Sequence, residues 1–269
     1  MIVPVGSADD PRLDPFRWRE RQLASTAQRR EKVGAGMFVA EGDLVVDRAI
    51  ASGCSPVALL CDDRHATLLA DRIPDEVPLY VGDEALRKEV TGLGVPLSAT
   101  GLFVRPGLVS PVELLDRSHN VVVMEAVDNP TNLGAIVRSA AALGWDGLLL
   151  DSTSADPLAR RALRVSMGLG LSLPFARTAP GDDLAALLSS CGYTTWAMTP
   201  GAEADDIAGV TVSGPRNALL LGSERSGLTT RLLAASDHRV RIPMHGGTDS
   251  LNVGAAAAIA LQMLGANGR

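Results

Sequence analysis

The chain has 269 residues, a length that suits two domains better than one. At 46% hydrophobic and 21% charged it is ordinary globular material, and aromatics at 3% leave the core to Leu, Val and Ala packing. A net charge of −6 excludes a generally basic protein that coats nucleic acid; a polyanion could bind only through a local patch.

Residues 1–32 open on Pro- and Asp-rich polar sequence and continue as FRWRERQLASTAQRREK, a segment of helical composition. It reads either as a solvated surface helix or as a basic arm that touches RNA phosphates. From Met37 the period changes. MFVAEG reads as a strand, and DLVVDRAIASG as a helix capped by Asp43 and stopped by Gly53. PVALLCDD, VPLYVGD and SATGLFVRP read as strands, RHATLLADRIP and EALRKEVTG as helices. Strand and helix alternating at this spacing predict a small α/β domain over 33–105 with a largely parallel sheet. PGLVSPVELLDRS looks like a linker with a helical piece, which places the boundary at 106–117.

The second half, 118–269, repeats the alternation more strongly. NVVVMEAV is a buried strand, and PTNLGAIVRSAAALGW a helix that starts at an Asn-rich turn. DGLLLD is a strand, PLARRALRVSMG a basic helix, and LSLPFAR leads into the helical DDLAALLSSCG. YTTWAMT, ALLLGSE and RVRIPM complete the strands. Continuous Val/Leu runs are what a parallel sheet buried on both faces requires. In the closing stretch, Val240, Ile242 and Met244 predict a short strand, His245 to Asp249 a Gly-rich loop, and Asp249 or Ser250 the cap of an Ala-rich helix. Gly254 lies inside that helix at a cost of about 1 kcal/mol relative to Ala; an Ala/Gly surface lets another backbone come close.

Cys54, Cys61 and Cys191 are widely spaced and form no CxxC pair, so reduced cysteines are expected. The N-terminus has no signal-peptide pattern, and no apolar run approaches the roughly 18–20 residues a bilayer span needs. The expectation is a soluble cytoplasmic protein with no membrane partner. Four loops follow strands in the second half, around Asp128–Gly134, Thr199–Gly201, Gly222–Gly227 and His245–Asn252. In an open parallel sheet, ligands bind beyond the carboxyl ends of strands. No G-x-G-x-x-G follows a strand, no P-loop or G-x-S-x-G occurs, and the four histidines are scattered, so no metal site is expected.

Three motifs carry a resemblance: Asn132-x-Gly134-x-x-x-Arg138-Ser139-Ala140, then Leu221-Gly222-x-Glu224-x-x-Gly227-Leu228, then Ile242-Pro243-Met244-x-Gly246-x-x-x-Ser250-Leu251-Asn252-Val253. In this order they resemble the SpoU/TrmH family of S-adenosylmethionine-dependent RNA ribose 2′-O-methyltransferases, over roughly residues 118–264. Gly254 departs from the family, which more often has Ser or Ala there. The resemblance implies a SPOUT-type α/β domain with a C-terminal trefoil knot and a homodimer with its cofactor pocket near the subunit interface. Residues 33–105 resemble the small ribosomal-protein-like RNA-binding domain that often precedes it.

On this resemblance the adenosyl part of S-adenosylmethionine would sit among Thr199, Pro200, Gly201, Leu221, Gly222, Ile242, Met244 and Leu251. Arg138 would be the central catalytic residue. A guanidinium is always protonated, which favours phosphate binding and stabilisation of a developing oxyanion. Asn132 would orient Arg138 or the ribose, or be a turn residue. Glu224 would pair with Arg138 or position the acceptor. Ser250 and Asn252 would bind acceptor or cofactor, cap the helix, or both. Arg160, Arg161 and Arg164 on the basic helix would meet RNA phosphates. The expected substrate is ribosomal RNA ahead of transfer RNA, a preference that rests on the separate N-terminal domain, and a role in antibiotic resistance is open. The rivals are a non-catalytic RNA-binding protein of the same fold and an unrelated α/β enzyme acting on a small metabolite.

Overall fold

The structure, a computed structural model, describes residues 1–25, 36–212, 214–246 and 248–266. Along the chain come β1 (Ile2–Pro4), a 3-10 helix (Pro11–Arg17), α1 (Glu20–Leu23), β2 (Met37–Glu41), α2 (Asp43–Ala51), β3 (Pro56–Cys61), α3 (Asp63–Ala70), β4 (Leu79–Val81), α4 (Glu84–Thr91) and β5 (Ala99–Val104). Then follow α5 (Pro111–Arg117), β6 (Asn120–Met124), α6 (Pro130–Ala142), β7 (Gly147–Leu150), α7 (Arg160–Val165), β8 (Phe175–Arg177) and α8 (Leu184–Ser190). The chain closes with β9 (Thr194–Met198), β10 (Asp205–Asp206), β11 (Asn217–Leu221), α9 (Thr230–Ala235), β12 (His238–Arg241) and α10 (Val253–Ala266). No helix of the described residues is long and apolar enough to cross a membrane. Two compact units emerge: Met1–Leu108 with Leu158–Ser172, and Val109–Pro157 with Leu173–Arg269.

The first unit is built on a five-stranded sheet in the order β1-β4-β3-β5-β2. Strand–helix alternation correctly implies that β2, β3 and β4 share one sense, but β5 inserts between β2 and β3 and runs antiparallel to both. The sheet is therefore mixed, not largely parallel. The polar N-terminus also contributes a strand: Ile2, Val3 and Pro4 pair in parallel with Leu79, Tyr80 and Val81. The expected basic helix is a 3-10 helix and the single turn α1, with Pro15 inside the former. A proline there removes an N–H and blocks a continuous α-helix. Leu13 and Phe16 are fully buried against Val39, Leu60 and Tyr80. The remainder of that segment, 26–32, lies outside the described residues.

Although α7 falls between β7 and β8 in sequence, it belongs to the first unit. Glu41, at the end of β2, has a side chain 1% exposed and receives Arg160 Nη1 at 2.9 Å and Arg164 Nη1 at 2.6 Å. The other terminal nitrogen of Arg160 donates to the carbonyls of Phe16 and Trp18, and its backbone N–H donates to Glu20. A carboxylate this buried is tolerable only when paired and hydrogen-bonded. The basic helix is therefore an anchor whose charge is largely committed inside its own unit.

The second unit carries a seven-stranded sheet in the order β10-β12-β9-β11-β6-β7-β8. Every adjacent pair is parallel. Val121 to Met124, Leu148 to Leu150 and Ala218 to Leu221 are all essentially buried, as continuous aliphatic runs in a parallel sheet should be. The edge strands β8 and β10 and the short helix α9 have no sequence counterpart, since elements of two to six residues carry too little periodicity. Pro111 and a Ser110/Glu113 capping box start α5.

Candidate active site

Four neighbouring strands, β12, β9, β11 and β6, point their carboxyl ends to one edge of the parallel sheet. The loops leaving them are the four singled out by their Gly, Asn, Ser and Glu content. The three motifs therefore come together.

The first motif opens α6. Asn129 caps the helix by accepting the Thr131 N–H at 2.9 Å, and Pro130 takes the first helical position. Arg138 lies in the third turn, about 12 Å along the axis from Pro130. Helical side chains lean back toward the N-terminus, which brings its guanidinium toward the loop edge. It is exposed and makes no hydrogen bond or ion pair among the described residues. Asn132 is 7% exposed and makes no hydrogen bond to Arg138; its Oδ1 accepts from Asn252 Nδ2 at 3.0 Å.

The third motif departs locally from expectation. The strand ends at Arg241, so Val240 is buried while Ile242, Pro243 and Met244 are half-buried in the loop beyond it. Neither Asp249 nor Ser250 caps the helix. Asn252 does, its Oδ1 accepting from Gly254 N at 2.9 Å, because α10 starts only at Val253. One Asn side chain thus caps α10 and ties it to α6. A Cβ on Gly254 would lie 3.1 Å from the Ala135 Cβ and from Asn252 Oδ1, so glycine here allows close contact of the two helices. Further along, Trp145 Nε1 donates to the Leu261 carbonyl at 3.2 Å. Ser250 and Leu251 stay exposed.

The second motif is a loop folded onto itself. A Cβ on Gly222 would sit 2.2 Å from the backbone of Gly227 and Leu228, which no side chain survives. Ser223 and Gly227 form an antiparallel bridge, Gly227 adopts φ +68°, and the Ser223 hydroxyl accepts the Ser226 N–H at 3.1 Å. Leu221 is buried, and Glu224 is exposed with no polar partner among the described residues. Beside it, Thr199 donates its N–H to Val240 O at 3.0 Å and accepts Gly201 N on its hydroxyl at 3.2 Å; Pro200 is exposed.

Four further residues, Glu125, Ala126, Asp151 and Ser154, shape this edge and carry no motif signature. Glu125 follows β6 and accepts both the N–H and the hydroxyl of Thr229, at 2.7 and 2.9 Å. Ala126 is held at φ +55°, uncommon outside glycine. Ser154 accepts the Val127 N–H at 3.1 Å, while Asp151 accepts the Ser154 N–H and hydroxyl. Burial alone would raise the Asp151 carboxyl, but hydrogen bonds from the Ser154 and Thr153 hydroxyls and from backbone amides outweigh it, and the net shift is downward. A carboxylate directly after a buried aliphatic run, Glu125 after Val121–Met124 and Asp151 after Leu148–Leu150, is the sequence signal of this arrangement.

Among the described residues Arg138, Glu224 and Ser250 have no polar partner, whereas Asn132 and Asn252 bond to each other. Of the arginines on α7, Arg160 and Arg164 are spent on Glu41, and Arg161 is exposed.

Comparison with known proteins agrees with this geometry. Residues 119–262 match the profile of the SpoU rRNA methylase family. An uncharacterised tRNA/rRNA methyltransferase of Mycobacterium tuberculosis is 42% identical over 267 residues, covering 96% of this chain and 90% of that protein. The 23S rRNA (guanosine(2553)-2′-O)-methyltransferase RlmP of Bacillus subtilis is 27% identical over 234 residues, covering 86% of this chain and 89% of the other. Among solved structures, an AdoMet-bound rRNA methyltransferase from Sinorhizobium meliloti superposes with a TM-score of 0.82 at 24% identity, over 98% of this chain and 97% of that one. The chain belongs to the SpoU rRNA methylase family and is an RNA-methylating enzyme.

Proposed function

We propose that the enzyme methylates a ribose 2′-hydroxyl in ribosomal RNA, using S-adenosylmethionine. The observation that carries this reading is that the three motifs lie on segments leaving the edge shared by β12, β9, β11 and β6, and that their Arg138, Glu224 and Ser250 are exposed with no polar partner among the described residues. The 23S rRNA 2′-O specificity of the Bacillus relative supports ribose as the acceptor and ribosomal RNA as the substrate.

The residues fit the cofactor. Half-buried Ile242 and Met244 and the 41% exposed Leu251 offer apolar surface to an adenine. Gly246, at φ +68° with open space where a Cβ would be, and Thr199, Pro200, Gly201, Leu221 and Gly222 offer backbone to a close-lying ligand. When bound, S-adenosylmethionine supplies an electrophilic methyl group on a sulfonium. Arg138 clamps an RNA phosphate and offsets negative charge growing on the 2′-oxygen. Glu224 and Ser250 hold the acceptor ribose, and the Asn132–Asn252 pair keeps α6 and α10 in register beneath them. Most of the acceleration then comes from alignment of oxygen and methyl carbon.

The first unit serves in this reading as the RNA-binding module. The enzyme works as a homodimer in the cytoplasm. The passage of β12 between β9 and β10, followed by return of α10 onto α6, supports a knotted C-terminal segment.

The test is methyl transfer from tritiated S-adenosylmethionine to in vitro transcribed 23S ribosomal RNA, with transfer RNA and free nucleosides as rivals. Label should enter ribosomal RNA as alkali-resistant ribose methylation. Arg138→Ala should abolish transfer while cofactor affinity, read by titration calorimetry, stays within about a few-fold, as expected for a group acting in the transition state. Near-wild-type turnover in that variant would remove Arg138 from the mechanism.

A further inference from the structure

We infer that Glu125 is a positioning residue: its carboxylate clamps the Gly222–Thr229 loop to the end of β6 and so sets where Glu224 and the Leu221–Gly222 backbone stand. The inference rests on the methyl-transfer reading of the same edge. Glu125 is where two motifs meet. Its own N–H donates to Leu221 O at 2.9 Å, extending the β6–β11 ladder by one residue just as the second motif begins. Its carboxylate then spans to the far end of that motif's loop, taking the Thr229 N–H at 2.7 Å and the Thr229 hydroxyl at 2.9 Å. One residue therefore holds both ends of the loop in which Glu224 is exposed.

The opposite side of Glu125 is held as firmly. Ala126 turns the chain at φ +55°, and Val127 is tied to Ser154, whose hydroxyl is in turn held by Asp151. Five residues beyond Val127 comes Asn132, with its bond to Asn252. The clamp consequently fixes the second motif against the segment that leads to the first and third. Inside the loop, the Gly222 approach to Gly227 and the Ser223–Ser226 hydroxyl contact at 2.8 Å keep its shape but do not orient it on the sheet. Leu228 packs the far end of the loop into the core, and Glu125 and Thr229 fix that end by hydrogen bonds. Thr229 also accepts the Leu232 N–H at 3.2 Å and so starts α9.

The test uses the full-length protein with Glu125→Gln, Thr229→Val and the double variant. Each single variant should lower kcat with 23S transcript and S-adenosylmethionine about ten- to hundredfold, the range lost with a hydrogen bond to a charged group. RNA affinity should stay close to wild type in both; thermal melting should hold in Glu125→Gln and fall modestly in Thr229→Val, which also loses the α9 cap. The double variant should be no worse than the poorer single one, because both remove the same contact. Amide hydrogen exchange should rise in 222–229 and not in the rest of the sheet edge. Single variants with unchanged kcat, losses that multiply in the double variant, or unchanged exchange in 222–229 would each overturn the inference. A wild-type protein that transfers no methyl group to any RNA would defeat the underlying reading, and exchange in 222–229 would still decide the clamp.

Discussion

Gly222 and Gly254 look alike in sequence, each a glycine in a motif, yet the space around them differs sharply. At Gly222 an added Cβ would meet backbone at 2.2 Å, and backbone of a tight bridge cannot move aside. At Gly254 the nearest atoms, at 3.1 Å, are a methyl and a side-chain oxygen that can yield by a few tenths of an ångström. Replacing a mid-helix glycine by alanine also gains about 1 kcal/mol of helix propensity, which offsets that contact. Gly254→Ala should therefore leave urea-unfolding stability within about 1 kcal/mol of wild type. Gly222→Ala should instead reopen the Gly222–Gly227 turn and abolish measurable cofactor binding by calorimetry. Equal tolerance at the two sites would mean that the turn is not closed as described.

At the scale of elements, α7 and the turn after β7 show polar groups working over long distances in the chain. Removal of Arg160 would leave Glu41 with Arg164 alone and deprive the carbonyls of Phe16 and Trp18 of their donor. Stripping one partner from a buried pair typically costs about 3–5 kcal/mol, so Arg160→Ala should lower unfolding stability by that order in urea titration. A loss under about 1 kcal/mol, the value of an exposed pair, would contradict an anchoring role. The Asp151 turn contributes differently. Its carboxyl is held below the usual aspartate value, so the ionised form favours the fold. That contribution is complete above the unfolded-state pKa and is lost as pH falls through the lower folded-state value. Asp151→Asn should be less stable than wild type near neutrality, with the gap closing below about pH 4. A gap that ignores pH would point to packing alone.

At the scale of the whole molecule, local windows of sequence were sufficient wherever one stretch contained its own physical reason. Continuous runs such as Val121–Met124 and Leu219–Leu221 announced a parallel sheet, and Asn129-Pro130 announced the start of α6. The three ordered motifs identified the family and put Gly, Asn, Ser and Glu at strand ends, because those residues make turns and leave backbone open to a ligand. Three-dimensional structure alone decided the rest. It decided that β5 would run against its neighbours, that Ile2–Pro4 would be a strand, and that the basic helix would serve Glu41, 119 residues from Arg160. It also made Asn252 the cap and linked Glu125 to Thr229 across 104 residues. The reason is physical. Turn chemistry and hydrophobic period act within a few residues, whereas a strand's sense or a buried carboxylate's partner depends on which distant segments the packed core brings together.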